Sequence, residues 1–410
     1  MSVESSVPAN LEKGDATKVH TGSKIFIMTG DPSADLHAAH VAEALRHQNP
    51  SIQLEGIGGP HLEKVGVPLF ETHEQMSRVG LDAWLSIPYH VGLGKRVLDY
   101  LETWQPNAVL MIDYGGFHLH MAGYLKKRGI RVFYYIPPQV WASRRERIGR
   151  IQQSVDHVFC IFPFEEALYK DHGVAVTYVG HPLTSHLPPP VDRNEFCKKH
   201  GLDPARKILA VLPGSRRAEV RHLAKPLIHA IQRIQTADPS VQCVVAQAAS
   251  LKDQWFHQKM AGDLPASVIV LKDETRPILS VADAAVVASG TATLETAMYG
   301  TPMVIVYKLQ PFVLEFGLKF CYLPCIGLPN ILIDPHHPVA PELLHRHATP
   351  ENISRKALTM LDPSAPETKK AKAAFAELHK VLDAYPTAEK VAGGILALLA
   401  SSGDQALSEV

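Results

Sequence analysis

The stretch Ala284-Ala-Val-Val-Ala-Ser-Gly-Thr-Ala-Thr-Leu-Glu-Thr-Ala-Met-Tyr-Gly-Thr-Pro-Met-Val-Ile-Val-Tyr307 decides the fold. Ala284–Ala288 is an apolar run of buried-strand length, and Ser289-Gly290-Thr291 supplies a tight turn. Good helix formers run from Thr291 to Tyr299, and Gly300 followed by Pro302 stops the helix before a second apolar run, Met303–Tyr307. Strand, turn, helix and strand in this spacing make a parallel α/β unit. A helix that starts at the carboxyl end of a parallel strand presents unpaired backbone N–H groups and the positive end of its dipole. Ser289, Gly290, Thr291 and Ala292 are small enough to let an anion reach that backbone. Glu295, one turn further on, is placed to accept hydrogen bonds from a ribose. The stretch therefore reads as a pocket for a nucleotide diphosphate.

Outward from this stretch, the 410 residues suffice for two domains with sizeable cores. The formal net charge is +0, which gives no global field for nucleic acid. The first two dozen residues are polar and lack the apolar core of a signal peptide, so residues 1–23 read as a mobile tail. Five cysteines with no C-x-x-C pair suit a reducing cytoplasm. No uncharged apolar run reaches the roughly 18 residues that a spanning helix needs.

A first α/β series starts with the strand Lys24–Thr29 and the loop Gly30-Asp-Pro-Ser-Ala-Asp35, followed by a helix from Leu36 to Arg46. In that loop, Ser33 or Asp35 serves either as a helix N-cap or, with Asp31, as a hydrogen-bonding group for a sugar hydroxyl. The segment Leu81–Trp104 mixes aromatics and aliphatics with Lys95 and Arg96. It reads either as a core-facing helix with one wet side or as a segment that touches a bilayer surface. Ala108–Asp113 is a buried-type strand ending in a carboxylate, where parallel sheets bind ligands and where an acid can take a proton from a hydroxyl. The competing reading of Asp113 is a turn or cap residue. His118 and His120 follow it as further candidates. After the strand Val132–Ile136 come Gln139, Trp141 and the arginines Arg144, Arg145 and Arg147, a group suited to phosphate or anionic lipid or, alternatively, an exposed basic face.

Pro188-Pro-Pro190 and its polar neighbours mark an interdomain linker, with a second α/β series behind it. Ile208–Leu212 followed by Pro213-Gly-Ser-Arg-Arg-Ala-Glu219 repeats the strand and loop of the first series, which suggests two similar folds facing each other. Gly214, Ser215 and Arg216 lie in this loop, and Arg216 or Arg217 beside a helix N-terminus suits a pyrophosphate. Leu328-Pro-Asn330 reads as a loop with Asn330 facing the cleft, and Pro341–Leu344 reads as helical. Cys321, Cys325, His336 and His337 match no strong zinc spacing, so no metal is expected. The boundaries that follow are a tail at 1–23, a first domain at 24–185, a linker at 186–204, a second domain at 205–375, and C-terminal helices at 376–410 that pack back on the first domain.

Gly30-Asp-Pro-Ser-Ala-Asp35, Tyr135-Ile-Pro-Pro-Gln-Val-Trp-Ala142, Phe162-Pro-Phe-Glu-Glu166, Gly180-His-Pro182, Leu212-Pro-Gly-Ser-Arg216, Ala288-Ser-Gly-Thr-Ala-Thr-Leu-Glu295 and Leu328-Pro-Asn330, in this order, resemble the lipid-A-disaccharide synthase family over nearly the whole chain. The resemblance implies a GT-B fold, two Rossmann-like domains with the active site between them. It also implies an inverting transfer from UDP-2,3-diacylglucosamine to the 6-hydroxyl of 2,3-diacylglucosamine 1-phosphate, releasing UDP without a cofactor or metal. Asp113 takes the position of the family's catalytic aspartate. Gly214, Ser215, Arg216, Ser289, Gly290, Thr291, Ala292, Glu295 and Asn330 are expected on the donor. Asp31, Ser33, Asp35, His118, Gln139, Trp141 and Arg144 are expected on the acceptor side. The partners implied are the two acylated sugars, the cytoplasmic face of the inner membrane and a second copy of the chain. A UDP-sugar epimerase, a transferase with another acceptor and a non-catalytic UDP-sugar-binding paralogue are the alternatives. The departures from the family pattern are Ala34 for Gly, Gly115-Gly116-Phe117-His118 for Pro-Asp-Phe-Asn, Ser143 for Trp, and Ile333-Asp-Pro-His for Ala-Gly-Arg. Three of these four lie in the first domain.

Overall fold

The computed structural model describes residues 22–72, 87–308, 324–382 and 386–407. The described residues form two compact units. One runs to Trp141, includes Arg145–Pro182 and takes the C-terminal helix Thr387–Leu407. The other begins at Leu183, continues to Leu382 and includes Ala142–Arg144.

The first unit is a seven-stranded, wholly parallel sheet: β1 (Lys24–Met28), β2 (Gln53–Gly58), β3 (Leu69–Thr72), β4 (Ala108–Ile112), β5 (Arg131–Tyr135), β6 (His157–Cys160) and β7 (Val176–Tyr178). Its spatial order is β3-β2-β1-β4-β5-β6-β7. Nearly every residue of β1 and β4 is buried, as continuous apolar runs covered on both faces require. The second unit has six parallel strands: β8 (Ile208–Leu212), β9 (Gln242–Gln247), β10 (Ile269–Lys272), β11 (Ala284–Ala288), β12 (Met303–Tyr307) and β13 (Glu342–Leu344). Its order, β10-β9-β8-β11-β12-β13, is the first unit's order without the last strand. The repeat read from the two strand–loop starts is thus a repeat of topology. Each sheet changes winding direction once, between β1 and β4 and between β8 and β11, and such a switch point is where doubly wound sheets bind ligands.

Local readings change in several places. The first helix spans Pro32–Gln48, and its N-cap is Asp31, whose carboxylate accepts from the N–H groups of Ser33 and Ala34, both at 2.9 Å. Proline at the first helical position suits this start, because its missing N–H has no partner there in any case. Leu328–Ile333 is a short helix where the sequence reads as a loop, and Glu342–Leu344 is a strand where it reads as helical. The segment 186–204, read as a linker, is tied to the second unit. Tyr299 donates to the Pro188 carbonyl at 3.0 Å, and Arg193 pairs with Asp283 at 2.9 Å. The C-terminal helix lies in the first unit, where Arg131 donates to the Leu398 carbonyl at 2.8 Å and Gln48 to that of Glu389 at 3.0 Å. In the segment around Trp104, the helix Ile87–Trp104 buries Leu93, Val97, Leu98 and Leu101 in the core, while Val91 is 66% exposed. Trp84, Leu85, Cys321 and the 1–21 part of the tail lie outside the described residues. Among the described residues no helix is long and apolar enough to cross a membrane.

Candidate active site

Asp113 directly follows β4 at the first switch point with a left-handed φ of 51°, and Tyr114 comes next at 55°. Ile136, at the end of the neighbouring β5, has φ 55°. Left-handed backbone costs a residue with a Cβ roughly 1–2 kcal/mol, most for a β-branched one, and the surroundings must enforce it. They do so through the Asp113 peptide. Its N–H donates to the Tyr135 carbonyl at 3.2 Å. Its carbonyl accepts from His118 Nδ1 and from the Tyr134 hydroxyl, each at 2.7 Å. A carbonyl only accepts, so His118 carries its proton on Nδ1. Burial pushes His118 down to about 4, which keeps the ring neutral. Burial, with the Asp113 charge, holds the Tyr134 phenol well above its ordinary value, so it remains a donor.

The Asp113 carboxylate is itself displaced. Burial first, and the nearby Asp31 charge second, raise it to about 6, while the Tyr114 N–H at 2.7 Å pulls the other way. A carboxylate at this value is ionised at neutral pH and is a stronger base than an ordinary one. Gly30 completes the setting: a Cβ there would lie 2.0 Å from the Tyr114 ring, so only glycine lets the ring pass over the end of β1.

Several residues expected on the acceptor side hold the scaffold instead. His118 is fully buried, and its Nδ1 donates to the Asp113 carbonyl. Asp35 is also fully buried, and its carboxylate accepts from Gly59, His61 and Leu62, capping the short helix Pro60–Lys64. Trp141 packs edge-on against Phe162 and Phe164 and donates from Nε1 to Glu165 at 2.8 Å. Glu165, raised to about 7 by burial, also accepts from the N–H groups of Ile161 and Phe162. Asp31 remains half-buried near Asp113, with Ser33 exposed beside it. Gln139 is exposed, and so is Arg144, which has φ 54° and falls within the second unit.

At the second switch point a cavity of about 660 Å³ gathers Gly214, Ser215 and Arg216 from the loop after β8, and Ser289, Gly290, Thr291, Ala292 and Glu295 from the turn after β11. Gly290, at φ 154°, caps the helix Thr291–Met298 without any side-chain bond to its first turn. Gly214 has φ 112°, and a Cβ on it would meet the Glu219 carboxylate at 2.5 Å. Glu219 closes the start of the helix Arg217–Ala237 by accepting from Ser215 N at 3.0 Å and Arg216 N at 3.2 Å. The Arg216 side chain is 83% exposed at the cavity's edge.

Sequence reasoning missed Arg276. It lines this cavity and donates to Glu295 Oε1 from Nε at 3.0 Å and from Nη2 at 2.9 Å, a two-pronged pair. The only signal was a cation at the start of the helix after β10, Thr275–Val281, which resembles any surface arginine. Asn330, in contrast, does not line the cavity. It is fully buried, donating to the Ala340 carbonyl and Glu342 and accepting from the N–H groups of Val339 and Ala340. Both donors and both acceptor positions of its amide are thereby used within the protein. Among the described residues no cluster of three or more His, Cys, Asp or Glu could hold a metal.

Two doubly wound parallel sheets, each carrying its candidate residues at its switch point, define an α/β protein with the GT-B fold. A UDP-GlcNAc 2-epimerase from Neisseria meningitidis, solved bound to UDP-GlcNAc, matches this fold with a TM-score of 0.59 over 92% of this chain and 100% of its own, at 11% identity. The family model described as lipid-A-disaccharide synthetase matches residues 25–390. A lipid-A-disaccharide synthase of Coxiella burnetii is 39% identical over 83% of this chain and 90% of its own length. One of Geobacter metallireducens is 34% identical over 92% and 97%. The chain belongs to the lipid-A-disaccharide synthetase family.

Proposed function

We propose that the chain transfers diacylglucosamine from its UDP derivative to 2,3-diacylglucosamine 1-phosphate, giving the lipid A disaccharide phosphate and UDP. Family membership supports the overall reaction. The observation that carries the division of labour is the pair of switch points. One bears a half-buried carboxylate raised in basicity, and the other a polar cavity with an uncapped helix start. Asp113 takes the proton of the acceptor's 6-hydroxyl as that oxygen bonds to the anomeric carbon. The bond from that carbon to the UDP oxygen breaks on the opposite side, which inverts the centre. The N–H groups at the start of the helix Thr291–Met298, with Arg216, take up the charge that grows on the departing diphosphate. Glu295, fixed by Arg276, accepts the ribose hydroxyls. Asp31 is the remaining acceptor-side group from the first loop. In this reading helix dipole and arginine serve where other transferases use a metal, and the acylated substrates are met at the cytoplasmic face of a membrane.

The test incubates purified protein with both substrates and follows products by mass spectrometry. Disaccharide 1-phosphate and UDP in equal amounts are expected. UDP binding without product under any condition would mark a binding protein, and interconverted UDP-sugars would mark an epimerase.

A further inference from the structure

A second cavity, of about 770 Å³, opens beside the Asp113 loop between the helices Ile87–Trp104 and Gly115–Lys127. Its walls are Val91, Gly94 and Leu98 from the first helix and Phe117, Met121 and Tyr124 from the second. Val91, on the first helix, is 66% exposed and Tyr124, on the second, 42%, so each wall presents a large apolar side chain to solvent. One end is formed by Tyr114 and Gly115, the two residues that follow Asp113. Tyr114 is held there by its hydroxyl's contact with His90 Nε2 at 3.0 Å. Lys95 and Arg128 also line the cavity, and Arg128 is paired with Glu102 at 2.8 Å.

We propose that this groove takes one acyl chain of the acceptor and that Gly94 sets how much of the chain it accommodates. The proposal rests on the transferase reading above and names the subsite that reading leaves open. Three observations select this occupant. The Tyr114 and Gly115 end of the groove directly follows Asp113 in sequence, which leaves a short path for an acyl chain attached to a sugar at Asp113. The lining is mostly hydrocarbon and aromatic, with Asp99 and His120 joining Lys95 and Arg128 among its charged and polar members, and such a lining suits a ligand that brings apolar area. Finally, the floor is open because position 94 lacks a side chain. A Cβ there would already stand 3.1 Å from Met121 Sδ and 3.7 Å from Phe117 Cε2, so any larger residue occupies the groove itself. Lys95 beside the groove suits an acceptor that also carries a phosphate.

The experiment measures kcat/KM for acceptors of increasing acyl length with the wild type and with Gly94→Leu and Gly94→Ala, using UDP affinity as the control for folding. Each buried methylene is expected to raise wild-type kcat/KM roughly fourfold until the groove is full, after which the curve is flat. Gly94→Leu moves the plateau to shorter chains, and Gly94→Ala moves it by less. A uniform loss at every chain length, with UDP affinity intact, overturns the proposal. So does loss of binding to vesicles of anionic phospholipid with the length dependence unchanged, which would make the groove a bilayer contact. An 11-dansylaminoundecanoic acid titration reads the groove without turnover. If the wild type makes no disaccharide yet binds this probe, and Gly94→Leu abolishes that binding, the transferase reading fails and the groove stands. A wild type that does not bind the probe overturns the groove.

Discussion

Replacing Asp113 with asparagine should slow the enzyme and at the same time stabilise the fold, and the stabilisation should depend on pH. Asp113 titrates near 3.8 in an unfolded chain and at about 6 in the fold, chiefly because burial penalises its charge. The folded state therefore holds this proton more tightly. The stability that the proton lends the wild type is complete below about pH 4 and is lost as pH rises through 6. A shift of about two pKa units corresponds to roughly 3 kcal/mol at pH 8. Asparagine has the same shape, accepts the Tyr114 N–H through Oδ1 and carries no charge, so Asp113→Asn recovers about that amount at pH 8 and nothing near pH 4. Denaturant unfolding at both pH values measures it. In kinetics the same variant loses at least about 100-fold in kcat, with UDP affinity unchanged. A variant no more stable than the wild type at pH 8, or a gain equal at both pH values, would refute the burial argument. Retention of more than about a tenth of the rate would remove Asp113 as base.

Wild-type kcat/KM should fall tenfold per pH unit below about 6, where Asp113 takes up a proton, and lie flat just above it in a pH–rate profile. His118→Leu removes one of two donors to the Asp113 carbonyl and should lower kcat roughly tenfold with KM unchanged, as steady-state kinetics would show. Glu295→Ala should weaken UDP binding measurably by calorimetry; unchanged affinity would exclude it from the nucleotide site. Asn330→Ala strands the N–H groups of Val339 and Ala340 together with part of the Glu342 carboxylate, and should cost about 3 kcal/mol or more in chemical unfolding.

The reach of the sequence follows from what each residue depends on. The strand Ala284–Ala288, its turn and the Thr291 helix are set by local apolar runs and small residues, and all three stand as read. The loops after β4, β8 and β11 were legible because a residue at the end of a buried parallel strand has few other places to be. Asn330 was misplaced because its partners are the peptides of residues 339 and 340 and the Glu342 side chain, brought to it only by the turn after Leu328–Ile333. Asp35 was misjudged for the same reason, since its acceptors are spent on peptides more than twenty residues away. Both are polar residues in motif-like loops, and only the folded backbone reveals that their hydrogen-bonding capacity is already taken. Arg276 was invisible because its meaning lies in Glu295, one strand further along the chain.

The most direct measurement is a crystal structure of the protein with UDP bound. The diphosphate should lie against the backbone of Thr291 and Ala292 at the start of their helix with Arg216 turned towards it, and the ribose should lie on Glu295 while Arg276 keeps its pair. UDP bound elsewhere, or bound with Glu295 and the helix start empty, would contradict this placement.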